Sequence, residues 1–236
     1  MGNCIDRETE NFLALMGPRV DTKPLKHGEE CIIFLIGGPG VGKNTLSEKL
    51  SSRYNLKLIS VTNILREEVN KETDRGKFFK SYMIKGNVIP ADYIVQLVVR
   101  EMLKDAPTTV GYLIVGFPRD KKQVIDYIAL IRRFSTLFAI IFNAEVRQPD
   151  LLINLYARRV ILQDRMAKRA ITSMRFDDSD EAVVNRMIHY FANVKSATMP
   201  NKRVMKIIDA ERNIEEVYKD ACKLIEEVLP KNQLTN

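Results

Sequence analysis

Cysteine is scarce in this chain: Cys4, Cys31 and Cys222 are the only three in 236 residues. Three cysteines make no disulfide framework, and Cys31 sits inside an apolar run, so a stapled secreted fold is excluded and a reducing compartment, the cytoplasm, is expected. No apolar run is long enough to span a bilayer. The start also lacks the positive-then-apolar layout of a secretory signal. Acidic residues are in the minority, 30 against 37 Lys and Arg, for a formal net charge of +7. No module of interleaved aromatic and basic residues accompanies that excess, so nucleic acid is not expected as a partner. No internal repeat is visible. What the chain does have is 45% apolar content, enough for one sizeable core with small appendages.

The most informative stretch runs from Gly37 to Thr45 and reads Gly-Gly-Pro-Gly-Val-Gly-Lys-Asn-Thr. Before it stands Cys31-Ile32-Ile33-Phe34-Leu35-Ile36, an apolar run suited to a parallel strand buried on both faces. After it, Leu46 and Leu50 recur at helical spacing. Strand, glycine-rich loop, lysine and helix together form the context a phosphate-binding loop requires. Gly37, Gly40 and Gly42 let backbone N–H groups turn inward. Those groups and the positive end of the next helix hold polyphosphate, and Lys43 adds a full charge.

Further strands are expected over Leu56–Ser60, Tyr112–Val115, Leu137–Phe142 and Val204–Ile208. Between the second and third of the five, residues 61–104 read as linked helices: Ile64 and Leu65 are apolar, Gly86 closes a helix, and Pro90 opens one carrying Ile94, Val98 and Met102. Gly116-Phe117-Pro118-Arg119 ends a strand, so Arg119 is expected on the same sheet rim as Lys43, where open parallel sheets bind ligands. Residues 163–178 concentrate Arg165, Lys168, Arg169 and Arg175 ahead of Asp177-Asp178, and Arg186 follows on a helix. Ile214, Val217, Ala221, Leu224 and Ile225 make a closing amphipathic helix. Alternating strands and helices indicate an α/β doubly wound, five-stranded parallel sheet.

Residues 1–30, broken by Gly17-Pro18, Pro24 and Gly28, read as an extension. Met1-Gly2-Asn3-Cys4 offers two acylation points, Gly2 and Cys4, and two chains are what stable anchoring needs. Asp6 stands where the myristoylation pattern wants Ser or Thr, so a plain soluble tail is the competing reading.

Taken together, residues 31–236 resemble the adenylate kinase family of nucleoside monophosphate kinases, with Gly116-Phe117-Pro118-Arg119 and Gln123 the most specific match. The resemblance implies that ATP is held by Gly38, Gly40, Val41, Gly42, Lys43, Asn44 and Thr45, with Arg165 and Arg169. It implies an acceptor site, favouring AMP, of Val61, Arg66, Asn87, Val88, Ile89, Gly116, Arg119, Gln123, Arg175 and Arg186. Transfer would rest on Lys43, Arg119, Arg169, Arg175 and Arg186, consistent with phosphoryl transfer needing alignment and positive charge more than a base. Residues 166–180 resemble a short lid without zinc. A monomer is expected.

The departures from the family are Val115 in place of Asp, Asn63 and Asn143 in place of acidic residues, Asn44 in place of Gly, and Val61 in place of Thr. The missing carboxylates belong to the water shell of Mg²⁺, so the expected metal is one that rides on the nucleotide phosphates, with no protein ligand. The connection from Asn143 to Arg165 is also longer than the family norm. Three functions follow: transfer from Mg-ATP to AMP giving two ADP; a slow nucleotide-binding sensor or scaffold; or a UMP or CMP kinase.

Overall fold

The computed structural model describes residues 14–17, 25, 30–105, 109–132, 148–173 and 175–230. Its spine is strand β1, Cys31–Gly37, whose side chains alternate between two separate cores. Ile32, Phe34 and Ile36 enter one apolar cluster, and Cys31, Ile33 and Leu35 enter the other. A strand read as apolar throughout has therefore two faces to bury, as a central parallel strand should.

Helix α1, Lys43–Tyr54, leads to β2, Lys57–Ser60. Three helices follow: α2 (Val61–Asn70), α3 (Asp74–Lys85) and α4 (Ala91–Asp105). Then come β3 (Gly111–Val115), α5 (Lys121–Arg132) and β4 (Leu151–Tyr156). The chain closes with α6 (Arg159–Thr172), α7 (Asp180–Thr198), a 3₁₀ turn, β5 (Met205–Asp209) and α8 (Ile214–Val228). The five strands run parallel in the order β2-β3-β1-β4-β5.

One face of the sheet packs against α2, α3 and α4 through Leu65, Phe79, Met83, Ile94, Val98 and Met102. The other packs against α1 and α8 through Leu46, Leu50, Val217, Ala221 and Ile225. Helices on both faces make the sheet doubly wound, as expected. Met16 and Leu25 of the N-terminal stretch are each 2% exposed and join the first cluster. Arg100 on α4 also donates to the Met16 carbonyl. The acylation points Gly2 and Cys4 lie outside the described residues.

One strand differs from the sequence reading. The neighbour of β1 on its far side is Leu151–Tyr156, pairing Ile33 with Leu151 and Gly37 with Leu155. The strand expected over residues 137–142, with Asn143 at its end, lies outside the described residues. The long connection toward Arg165 thus holds β4 itself, and the residue at that strand's carboxyl end is Tyr156. Two apolar runs of similar length stand a few residues apart, and periodicity has no means of choosing between them.

Candidate active site

The carboxyl ends of β1, β2 and β3 are level, because Val115 sits opposite both Leu35 and Ser60. Loops leaving those strands therefore open onto one rim. After β1 the chain turns through Gly37, Gly40 and Gly42, at φ +152°, +78° and +97°. A side chain at Gly37 would meet the Leu155 carbonyl at 2.7 Å and Val41 at 2.8 Å, so the turn closes only with glycine there. Lys43 folds back over the loop, its Nζ donating to the carbonyls of Gly37 (2.8 Å) and Gly38 (2.9 Å). Burial, and then the facing guanidinium groups of Arg119, Arg169 and Arg186, lower the Lys43 ammonium to about 7.

After β3, Phe117 is fully buried edge-on to Phe34 (5.3 Å) and Tyr127 (5.6 Å), and the Phe117–Pro118 bond is cis. That anchor turns Arg119 outward over the cleft. Its Nε donates to the Gly116 carbonyl (3.1 Å) and its Nη2 to the Thr62 hydroxyl (3.0 Å). Its backbone N–H donates to Gln123 Oε1 at 2.9 Å, which fixes the amide so that Nε2 is left buried and, among the described residues, without a partner.

The third side of the cleft comes from α6, α7 and the connection between them. Arg66 on α2 donates to both oxygens of Asp177, at 2.9–3.2 Å. Arg186 reaches Asp177 (3.4 Å) and Asp178 (2.8 Å), and Arg169 reaches Asp178 (2.6 Å). Burial pushes the Asp178 carboxyl up, but Arg186, Ser173 and Arg169 outweigh it and hold it at about 2. Arg165 donates to the Ala210 carbonyl at 2.9 Å. Gly86 ends α3 at φ +67°, against the first turn of α7, where an added Cβ would lie 2.2 Å from the Ala182 carbonyl.

These elements enclose a cavity of about 340 Å³. Lys43, Arg66, Arg119, Arg165, Arg169, Arg175 and Arg186 all line it, with Gly40, Gly42, Asn44, Thr45, Asn87, Val88 and Gly116. A smaller pocket of about 50 Å³ opens beside it, walled by Val61, Leu65, Met83, Val88, Ile89 and Ile94, with Gln123, Arg119, Asp177 and Arg186 also lining it. Most residues expected at the site are therefore brought together. Two are not in the lining. Val41 is buried in the second core cluster, and Gly38 turns its Cα toward Leu162 and Tyr190, where an added Cβ would lie 2.5 Å and 3.2 Å from them. The sequence reading missed Thr62, His189 and Tyr190, which also line the cavity. His189 and Tyr190 follow Arg186 by three and four residues, so helical spacing from that arginine was the available signal.

The donors do not fit a protein-held Mg²⁺. Such an ion takes a near-octahedral set of oxygens, ordinarily including one or two carboxylates. Among the described residues the cavity lining contains no Asp or Glu, and its side-chain oxygens are those of Asn44, Thr45, Thr62 and Asn87 and the Tyr190 hydroxyl. Val115 is buried in the second core cluster and Asn63 is exposed outside the lining.

The family model for adenylate kinase matches residues 35–202 of the chain. Adenylate kinase isoenzyme 1 of Gallus gallus is 30% identical over 211 residues, covering 89% of this chain and all of that protein. The isoenzyme 1 of Homo sapiens is 29% identical over 193 residues, covering 81% of this chain and 92% of its own. Adenylate kinase isoenzyme 5 of Mus musculus is 26% identical over 230 residues, covering 96% of this chain and 38% of that protein.

Proposed function

The chain belongs to the adenylate kinase family of nucleoside monophosphate kinases, and on that premise we propose that it transfers a phosphoryl group from ATP to AMP, giving two ADP. The observation that carries the reading is the convergence of Lys43, Arg119, Arg169 and Arg186 on one cleft from four separated segments. Two polyanions meeting end to end need cations from several directions. A dissociative transfer gains mainly from alignment and from charge spread over the moving group. Lys43 and the glycine loop hold the triphosphate. Arg119, with Arg66, Arg175 and Arg186, holds the acceptor phosphate, and Arg165 and Arg169 close over the donor. Thr62, hydrogen-bonded to Arg119, keeps that guanidinium aimed inward.

The acceptor base belongs in the smaller pocket, between the apolar walls of Val61, Met83, Val88 and Ile89. Gln123 presents a donor there, since its oxygen already accepts from Arg119. A donor suits the bare ring nitrogen of adenine N1 or cytosine N3 and opposes the N3–H of uracil. AMP therefore ranks first, CMP second and UMP last.

Adenylate kinases in general work on ATP with Mg²⁺. In this chain the metal would ride on the nucleotide phosphates and supply charge between them, while the protein's own residues bind and orient the two nucleotides. The carboxylate-free lining favours a second reading, a nucleotide-binding sensor or scaffold with slow turnover. A coupled assay with ATP and, in turn, AMP, CMP and UMP separates these. ADP formation with AMP above the acceptor-free blank is expected. ADP no higher than that blank, with saturable binding of both nucleotides, would establish the sensor.

A further inference from the structure

Among the described residues, Asp177 and Asp178 pair with three of the seven cations of the lining, which bears on the form in which the triphosphate arrives. We propose that the cleft binds ATP more tightly as the free tetra-anion than as its Mg²⁺ complex, the protein's cations standing where the metal's charge would. This rests on the nucleotide reading above. Among the described residues, seven basic side chains and no carboxylate line the cavity, while Asp177 lines the smaller pocket beside it. Asp177 and Asp178, which pair with the lining arginines, have side chains 3% exposed, and their oxygens are taken by Arg66, Arg169, Arg186 and Ser173. Among the described residues, no three His, Cys, Asp or Glu side chains are grouped to hold a metal ion.

The strand ends give the same answer. Beside β1, where a rim carboxylate would face the phosphates, β3 ends in buried Val115 and β4 ends in half-exposed Tyr156. A hydrated Mg²⁺ on the phosphates would thus bring two positive charges into a cavity whose described lining has no carboxylate to receive its water shell. At the separations of one cleft each such like-charge approach is unfavourable, more so where water is displaced. Burial and the charges of Arg119, Arg169 and Arg186 already disfavour the ammonium form of Lys43 in the free site, and a tetra-anion offsets this more fully than a di-anion.

Calorimetric titration of the full chain with ATP, in excess EDTA and in saturating Mg²⁺ at matched ionic strength, tests this. AMP, whose monophosphate holds Mg²⁺ weakly, is the control and keeps one dissociation constant in both buffers. For ATP, a dissociation constant at least about fivefold lower in EDTA is expected, or about 1 kcal/mol. A constant equal or lower in Mg²⁺ overturns the inference and leaves nucleotide binding standing. No saturable heat with ATP in either buffer overturns the nucleotide reading, and the inference with it.

Discussion

Arg66 and Asp177, separated by 111 positions in the sequence, are joined by hydrogen bonds from Nε and Nη2 to both carboxylate oxygens. The pair ties α2 to the connection between α6 and α7. Asp177 is 3% exposed at its side chain and also faces Arg186, so its charge compensates two partly buried guanidinium groups.

Asp177→Asn keeps the shape and removes the charge. Leaving two guanidiniums under-compensated costs about 2 kcal/mol, which for a chain of this size is a fall in Tm of roughly 4–8 °C. Scanning calorimetry reads it. If Arg66 holds the acceptor phosphate as proposed, that phosphate competes with Asp177 for it, and AMP affinity in this variant is expected to be retained or improved. A tenfold or greater loss of AMP affinity would show the carboxylate acting on the acceptor instead.

Lys43 makes ATP binding depend on pH. Its pKa in the free protein is lowered to about 7, and a bound polyphosphate returns it toward the ordinary value of 10.5. Binding above pH 7 therefore takes up a proton, and affinity falls as pH rises through that window. Calorimetry at pH 8 in two buffers of different ionisation heat measures the uptake directly. Lys43→Met abolishes it.

Arg119→Met removes the guanidinium that Thr62 and Gly116 aim into the cleft. By analogy with loss of one positioned donor, the barrier rises by about 3 kcal/mol, on the order of 100-fold in kcat. The fold should be preserved, because Phe117 and not Arg119 is the residue anchored in the core. Unchanged kcat would place phosphate alignment elsewhere.

Gly86→Ala combines an αL conformation with a clash against the Ala182 carbonyl. A cost of about 2 kcal/mol or more is expected from the backbone conformation and the displacement together. The damage falls where α3 meets α7, beside the small pocket, so AMP affinity should fall more than ATP affinity. Paired titrations of the two nucleotides check the difference.

Much of this could be read along the chain. The phosphate loop was legible because its strand, glycines, lysine and helix are adjacent residues, and local sterics dictate how they turn. The same holds for Gly86 as a helix stop and for Pro90 before the next helix. Leu151–Tyr156 was not legible, because an apolar run becomes a strand only when β1 and β5 stand on either side of it. Nor was the role of Gly38, whose lack of a side chain answers to Leu162 and Tyr190 from distant helices.

The amino-acid order by itself determined the inventory: a polyphosphate cradle, a surplus of arginines, and no acid at Val115. Only the folded chain decided which arginines are already engaged, with Arg66, Arg169 and Arg186 held by Asp177 and Asp178 and Lys43 left among guanidiniums. The reason is one of range. Backbone turns are set by neighbours a few residues away, whereas charge compensation depends on distances across space that no linear spacing encodes.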